Sequence, residues 1–381
     1  MSNWDVCRID DLGTVNRGKS KHRPRNDSIL FGGSYPFIQT ADVKKANLYI
    51  TEYDTTYSDI GLAQSKLWDK GTLCITIAAN IAESAILGID ACFPDSVVGF
   101  IPHKGKADLK FVKYLLDEFK VYMQQISKGT TQDNLSLDKL RRVKFNVPDY
   151  EKQVKIANTL STYDDLIENN NKRIKLLEQM SENLYKEWFV RFRFPGYKTA
   201  EFENGLPKGW KIKKIGKDNL LPIITGKKDA NYGDDGGEYT FFTCAQKEIL
   251  APDYSFDQSA IILAGNGDLS VKLFKGKFEA YQRVYVLTPY NLDYLNILYY
   301  VIKDELKTLT QGASGSTIRF ITKGMIERIS TVIPNEDILR QFNEIIDDIY
   351  EQKTLLEKAN NNLIKQRDLL LPRLMSGKLE V

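Results

Sequence analysis

Ala78-Ala79-Asn80 closes one apolar run, and 186 positions later Ala264-Gly265-Asn266 closes another. The same interval separates Tyr114 from Tyr300, Gly129-Thr130-Thr131 from Gly315-Ser316-Thr317, and Val147-Pro148 from Ile333-Pro334. It also separates Leu177 and Leu184 from Leu363 and Leu370. Trp4 and Trp210 open the two copies at a shifted offset of 206, which a deletion of roughly twenty residues in the second copy explains. Chance gives one or two such matches, not an ordered series, so the chain is two versions of one unit.

Each unit reads in the same order. Strand-like runs come first: Tyr35 to Thr40, Thr72 to Ala78 and Val97 to Pro102, answered by Tyr239 to Cys244, Ala260 to Ala264 and Val284 to Leu287. An amphipathic helix follows, near Asp108 to Ile126 and near Leu292 to Leu309. A Gly-Ser-Thr loop, an apolar strand ending at Pro148 or Pro334, and one long helix complete each copy. Asp149 and Asn335, directly after those prolines, are good N-cap residues.

Sevenfold apolar spacing marks both long helices. Leu160, Ile167 and Ile174, with Leu177 and Leu184 on a companion seam, stripe the first; Ile349, Leu356, Leu363 and Leu370 stripe the second. Such stripes must meet another helix. Asn170, Gln352 and Gln366 interrupt the seams, so the helices are expected to pack against another protein as well. Two helices alternating with two globular units pair only if antiparallel. The expected fold is therefore α+β: two similar α/β units separated by two long antiparallel coiled-coil helices, with pseudo-twofold symmetry. The expected boundaries are 1–148, 149–194, 195–334 and 335–381. Helices of ~30 to 35 residues span ~45 to 50 Å, enough to set two units on successive turns of a duplex, whose pitch is ~34 to 36 Å.

Composition excludes more than it specifies. The 381 residues carry a net charge of +3, 42% hydrophobic and 27% charged residues, as ordinary globular proteins do. No run approaches the ~18 apolar residues of a membrane helix, and the N-terminus has no secretory pattern. The scattered Cys7, Cys74, Cys92 and Cys244 form no C-x-x-C pair, which suits a reducing cytoplasm and no thiolate zinc site. Only His22 and His103 are available for imidazole chemistry. Neither a methyltransferase Asn/Asp-Pro-Pro-Tyr motif nor a metalloprotease H-E-x-x-H is present. No catalytic site, bound cofactor or metal is expected.

Charge is local. Arg17, Lys19, Lys21, His22, Arg23 and Arg25 form a basic run, and Lys227-Lys228 a smaller one, as phosphate contacts require. The loops Lys128 to Asn134 and Gln311 to Arg319 are rich in glycine, hydroxyls and amides suited to phosphates and base edges. The DNA-side candidates are Arg17, Lys19, Asn80, Thr130, Thr131, Gln132, Lys227, Asn266, Ser316, Thr317 and Arg319. Two alternatives stand beside DNA reading. Gly13-Thr14-Val15-Asn16-Arg17-Gly18-Lys19-Ser20 fits a phosphate-cradling G-x-x-x-x-G-K-S, but a basic, proline-broken stretch follows where a helix should start. A coiled-coil scaffold without DNA affinity is the other.

Gly33-Ser34-Tyr35-Pro36-Phe37-Ile38-Gln39-Thr40-Ala41-Asp42-Val43, Gly129-Thr130-Thr131-Gln132, Gly205-Leu206-Pro207-Lys208-Gly209-Trp210 and Leu370-Leu371-Pro372-Arg373-Leu374-Met375-Ser376-Gly377-Lys378-Leu379 together resemble the specificity subunits of Type I restriction–modification systems. The resemblance spans essentially the whole chain. It implies two target-recognition domains, each reading half of a split double-stranded DNA site through the major groove. It implies that the helices set the spacing and dock two methyltransferase subunits, and that nuclease-translocase subunits join. S-adenosylmethionine, ATP and Mg would then be bound only by those partners. The loops at Thr130-Thr131 and Ser316-Thr317 match the family pattern.

Overall fold

The computed structural model describes residues 4–128, 134–310 and 320–381. The chain divides into two compact units, one of Met1–Arg173 with Leu355–Val381 and one of Ile174–Thr354.

In the first unit the strands include β1 (Asp5–Cys7), β2 (Gly13–Arg17), β3 (Tyr49–Ile50), β4 (Leu73–Thr76), β5 (Ser84–Leu87), β6 (Val97–Pro102) and β7 (Phe145–Val147). Its helices include α1 (Thr40–Lys45), α2 (Leu109–Glu118), α3 (Lys120–Ser127), α4 (Leu137–Arg142) and the start of α5 (Tyr150–Tyr185). The central sheet runs β2-β6-β4-β5-β3, antiparallel except for the parallel β3–β5 pair, and β1 pairs β7 separately. The segment expected as a strand over Tyr35 to Thr40 is strand only as far as Pro36. Gln39 and Asp42 exchange an N-capping contact there, Gln39 N–H to Asp42 Oδ2 at 2.7 Å, and α1 begins at Thr40.

The second unit repeats this topology. Its strands are β8 (Lys211–Lys214), β9 (Ile223–Thr225), β10 (Tyr239–Phe242), β11 (Ile249–Ala251), β12 (Phe256–Ala264), β13 (Val271–Ala280), β14 (Val284–Leu287) and β15 (Ser330–Ile333). Helices α6 (Leu295–Thr310), α7 (Lys323–Arg328) and α8 (Glu336–Met375) follow. The sheet runs β9-β14-β12-β13-β10-β11, again with one parallel pair, β10–β13, and β8 pairs β15 as β1 pairs β7.

Both sheets are covered on both faces, which explains why β4 reads Leu73-Cys74-Ile75 without polar alternation. Leu73 and Ile75 pack with Phe111, Val112 and Leu115 of α2, while Cys74 packs with Trp68 and Phe93 behind the sheet. In the second unit Ile261 and Leu263 meet Leu298 and Ile302 of α6, while Ala260 and Ile262 meet Phe242 and Phe278. Helix α2 starts where Asp108 accepts from the Phe111 N–H at 2.9 Å.

The long helices start at the two residues after the prolines. Asp149 accepts from Lys152 N–H at 2.9 Å and Asn335 from Ile338 N–H at 3.0 Å. In each unit α5 and α8 run antiparallel. In the first, Asp164 pairs with Arg367, and further along Asn170 donates to Asn360 at 2.9 Å. In the second, Glu178 pairs with Lys353 at 2.6 Å and Phe189 meets Phe342 edge-on at 4.7 Å. Of the seam residues, Leu160, Ile167 and Leu356 are buried, and Ile174, Leu177, Leu184, Ile349, Leu363 and Leu370 are half-buried. Gln352 and Gln366, expected on the seam, are exposed. Asn170, also expected on the seam, does enter the pairing, joined by Asn360 and Asn171, with Asn360 donating to Asn171 at 2.8 Å.

The Asp164 carboxylate is 2% exposed, and four chain segments meet on it. It accepts from Asn47 Nδ2 at 3.1 Å, from the Tyr114 hydroxyl and from Arg367, while Arg367 Nη1 also donates to Asn47 Oδ1 at 3.1 Å. Burial, with Asp164 alongside, pushes the Tyr114 phenol well above its ordinary range. Removing one partner from such a site leaves an uncompensated buried charge. Asp164→Ala is expected to cost about 3–5 kcal/mol and Leu160→Ala about 2–5 kcal/mol in urea unfolding. Gln352→Ala and Gln366→Ala are expected to stay within about 0.5 kcal/mol of the parent.

Candidate nucleic-acid interface

With both sheet faces covered, polar side chains gather at the sheet ends. In the first unit Arg17 lies opposite Val98, Thr76 opposite Val97 and Ile75 opposite Ser84, so the end of β2, the β4–β5 turn and the start of β6 share one end. Arg17 and Lys19 are exposed there and Asn80 is half-exposed. In the second unit Thr225 lies opposite Tyr285 and Ala264 opposite Val284, bringing Lys227, exposed, and Asn266, half-exposed, to the corresponding end.

The Gly-Lys steps answer each other. Gly18 N–H donates to Val97 O at 2.9 Å and Gly226 N–H to Val284 O at 3.0 Å. A Cβ on Gly18 would stand 2.3 Å from Pro94 O, and one on Gly226 2.0 Å from Ala280 O. Close backbone approach demands glycine at both places, and the lysine that follows is delivered to the sheet end. This disposes of the nucleotide-cradle alternative. Gly13 to Arg17 is extended and laddered against Pro102 to Val98, and no helix starts at Lys19-Ser20. Its amides therefore do not converge on a phosphate.

The basic run is only partly available. Arg25 pairs with Asp95 at 2.9 Å, His22 Nε2 with Asp27 at 3.0 Å, and Arg23 donates to Ser20 O at 2.8 Å. The hydrogen bond from His22, then that from the Ile29 N–H, holds the Asp27 carboxyl below its usual range. His22 and Arg23 brace their own loop, and Arg25 ties it to the segment before β6.

Asn80 sits on a strained turn. Ala79 and Ala82 take φ values of 58° and 62°, a region that costs a side-chain-bearing residue about 1–2 kcal/mol. Buried Thr76 holds the turn: its hydroxyl accepts from Glu83 N–H at 3.0 Å and donates to Asn80 O. In the second copy Gly267 (φ 64°) relieves the same need. Each turn is stitched to the segment after the Gly-Ser-Thr loop, by Leu135 N–H to Ile77 O at 2.9 Å and by Ile321 N–H to Gly265 O at 2.7 Å. Phe320 also bridges to Asn266. Thr130, Thr131, Gln132, Ser316, Thr317 and Arg319 themselves lie outside the described residues.

Between the β4–β5 turn and α3 lies a cleft of about 430 Å³ whose walls include Lys44, Asn80, Glu83, Gln124, Gln125 and Lys128. Lys44 and Gln125 had no signal in the sequence, because α1 and α3 reach the turn only through the fold. Arg283, exposed beside Gly265 in the turn before β14, was likewise illegible. The long helices also carry exposed apolar side chains: Leu166, Leu355 and Leu369 in the first unit and Leu176, Met180 and Ile345 in the second are 40–65% exposed. Among the described residues no group of three or more His, Cys, Asp or Glu side chains is arranged to hold a metal ion, and no helix is long and apolar enough to cross a membrane.

Comparison with known proteins gives the family. The model of the Type I restriction modification DNA specificity domain matches twice, over residues 1–179 and 207–366. The MjaIX specificity subunit of a Type I restriction enzyme from Methanocaldococcus jannaschii is 27% identical, covering 99% of this chain and 94% of its own. The EcoDI specificity subunit from Escherichia coli is 38% identical over 178 residues, 46% of this chain and 39% of its own. The crystal structure of a Type I restriction–modification S subunit from M. genitalium has the same fold, with a TM-score of 0.59 at 15% identity, covering 98% of this chain and 96% of that one. The two copies, their matching sheet ends and these likenesses together make the chain a member of the Type I restriction–modification specificity-subunit family.

Proposed function

We propose that this chain is the non-catalytic subunit that selects the DNA site for a Type I restriction–modification complex. Each α/β unit reads one half of a two-part double-stranded site. The observation that carries the reading is the duplicated sheet end: an exposed Lys19 or Lys227 after an obligatory glycine, beside a turn bearing Asn80 or Asn266. Exposed lysines suit phosphates, and short amides suit base edges. Arg17, Thr130, Thr131, Gln132, Ser316, Thr317 and Arg319 are further candidate DNA contacts of their respective units.

Residues 1–148 and 195–334 act as the recognition domains, with 149–194 and 335–381 as the helices that space them. Helices of 36 and 40 residues are about 54 and 60 Å long, more than the ~34–36 Å of one duplex turn. The seam residues from Leu160 to Leu184 and from Ile349 to Leu370 hold the helices together. Exposed apolar side chains in each unit, Leu166, Leu355 and Leu369 in the first and Leu176, Met180 and Ile345 in the second, give methyltransferase subunits apolar area to dock on. Nuclease-translocase subunits complete the complex. S-adenosylmethionine, ATP and Mg belong to those partners, and the assembly works in the cytoplasm.

Replacing residues 1–148 by the corresponding part of a relative should change one half of the methylated motif and leave the other intact; a change in both halves contradicts the division of labour. Lys19→Ala and Lys227→Ala should each weaken binding about equally on all sequences. Each should lower the slope of log affinity against log salt by about 1, as fluorescence anisotropy over a salt series reads out. A slope unchanged in both variants removes these lysines from the interface.

A further inference from the structure

Asn80 and Asn266 occupy matching turns, yet their amides are in different electrostatic surroundings. Lys44 Nζ donates to Asn80 Oδ1 at 3.4 Å. Among the described residues Asn266 has no side-chain hydrogen bond, only its backbone bridge to Phe320. We propose that Lys44 and Asn80 form a donor-rich, positively charged probe with which the first unit reads the major-groove edge of a guanine. The inference rests on the DNA-reading function above and adds the base that one half-site must contain.

A free asparagine amide offers an acceptor beside its donors and so matches adenine, whose edge presents N7 as acceptor and N6–H as donor. Here one lone pair of that acceptor is taken by an ammonium. Beside the remaining lone pair stand the Nδ2 hydrogens and the other Lys44 protons, so donors outnumber acceptors and the local charge is positive. Guanine presents N7 and O6, two adjacent acceptors, and satisfies them. Adenine would set its N6–H against these donors and leave polar groups unpaired.

The rest of the cleft supports this assignment. Glu83, its one carboxylate, is engaged by Lys120 at 2.7 Å. Gln124 Nε2 donates to Ile81 O at 3.1 Å, which ties α3 to the turn and keeps its side chain from moving onto Asn80. The turn itself is fixed by Thr76 and by the left-handed Ala79 and Ala82, so Asn80 is presented without a search of conformations. Strain kept in a short turn fits a site whose geometry matters more than its stability.

The test uses the full chain co-expressed with its methyltransferase subunits. Wild type, Lys44→Met and Asn80→Ala are compared by mapping methylated adenines genome-wide. Lys44 is exposed, so its variant keeps the fold even if Asn80→Ala strains the turn. A G·C pair should be invariant in one half-site of the wild-type motif, and both variants should relax that position while the other half stays fixed. Placing 7-deazaguanine there, which lacks the N7 acceptor, should slow wild-type methylation roughly 5- to 160-fold and slow the Asn80→Ala complex far less. The inference is overturned if the relaxed position is an A·T pair, or if both variants keep the wild-type motif. A wild-type complex with no two-part motif instead contradicts the recognition reading from which it was drawn.

Discussion

Burial of both faces of each central sheet is the constraint on which the rest of the structure depends. Once α2 and the Trp68–Phe93 layer cover the first sheet, and α6 and the Phe242–Phe278 layer the second, neither sheet has a face left for a partner. Polar function is confined to the sheet ends, where turns leave the ladder. That is where Lys19, Asn80, Lys227 and Asn266 emerge, and where glycine is forced by backbone contact rather than by any nucleotide.

The helices solve a different problem. Each long helix has too thin a stripe to bury alone, so each unit pairs segments of both in antiparallel register. In the first unit the Asp164 carboxylate serves as the meeting point of helix, helix and sheet domain, through Arg367, Tyr114 and Asn47. The second unit places softer links at comparable junctions, such as Lys275 to Asp347 at 2.8 Å and Lys303 to Glu182 at 2.6 Å, with half-exposed partners. Solvent-screened pairs of that kind contribute little each. The duplication therefore preserves topology while letting the polar details of the two copies diverge.

Local physics was legible in the sequence, and long-range pairing was not. The repeat, the N-caps at Asp149 and Asn335, and the apolar stripes all follow from short-range spacing. The same reasoning placed Gln352 and Gln366 on the seam, because a sevenfold count cannot see the rotation that drifts them into solvent. Arg25 belongs to the basic run by sequence, but its partner Asp95 lies 70 residues away and only the fold brings them together. Lys44 reaches Asn80 across 36 residues by way of α1, and Arg367 reaches Asn47 across 320. Such partners have no signature within a window, so the electrostatic character of the turn became readable only in three dimensions.

The central claim is that two unlike heads, held at a set spacing, choose where a partner enzyme acts. Mapping methylated adenines across the genome of cells that express this chain with its methyltransferase subunits tests it most directly. Two short constant blocks separated by a gap of fixed length are the predicted result. A single unbroken motif, or methylation indifferent to the presence of this chain, would contradict it.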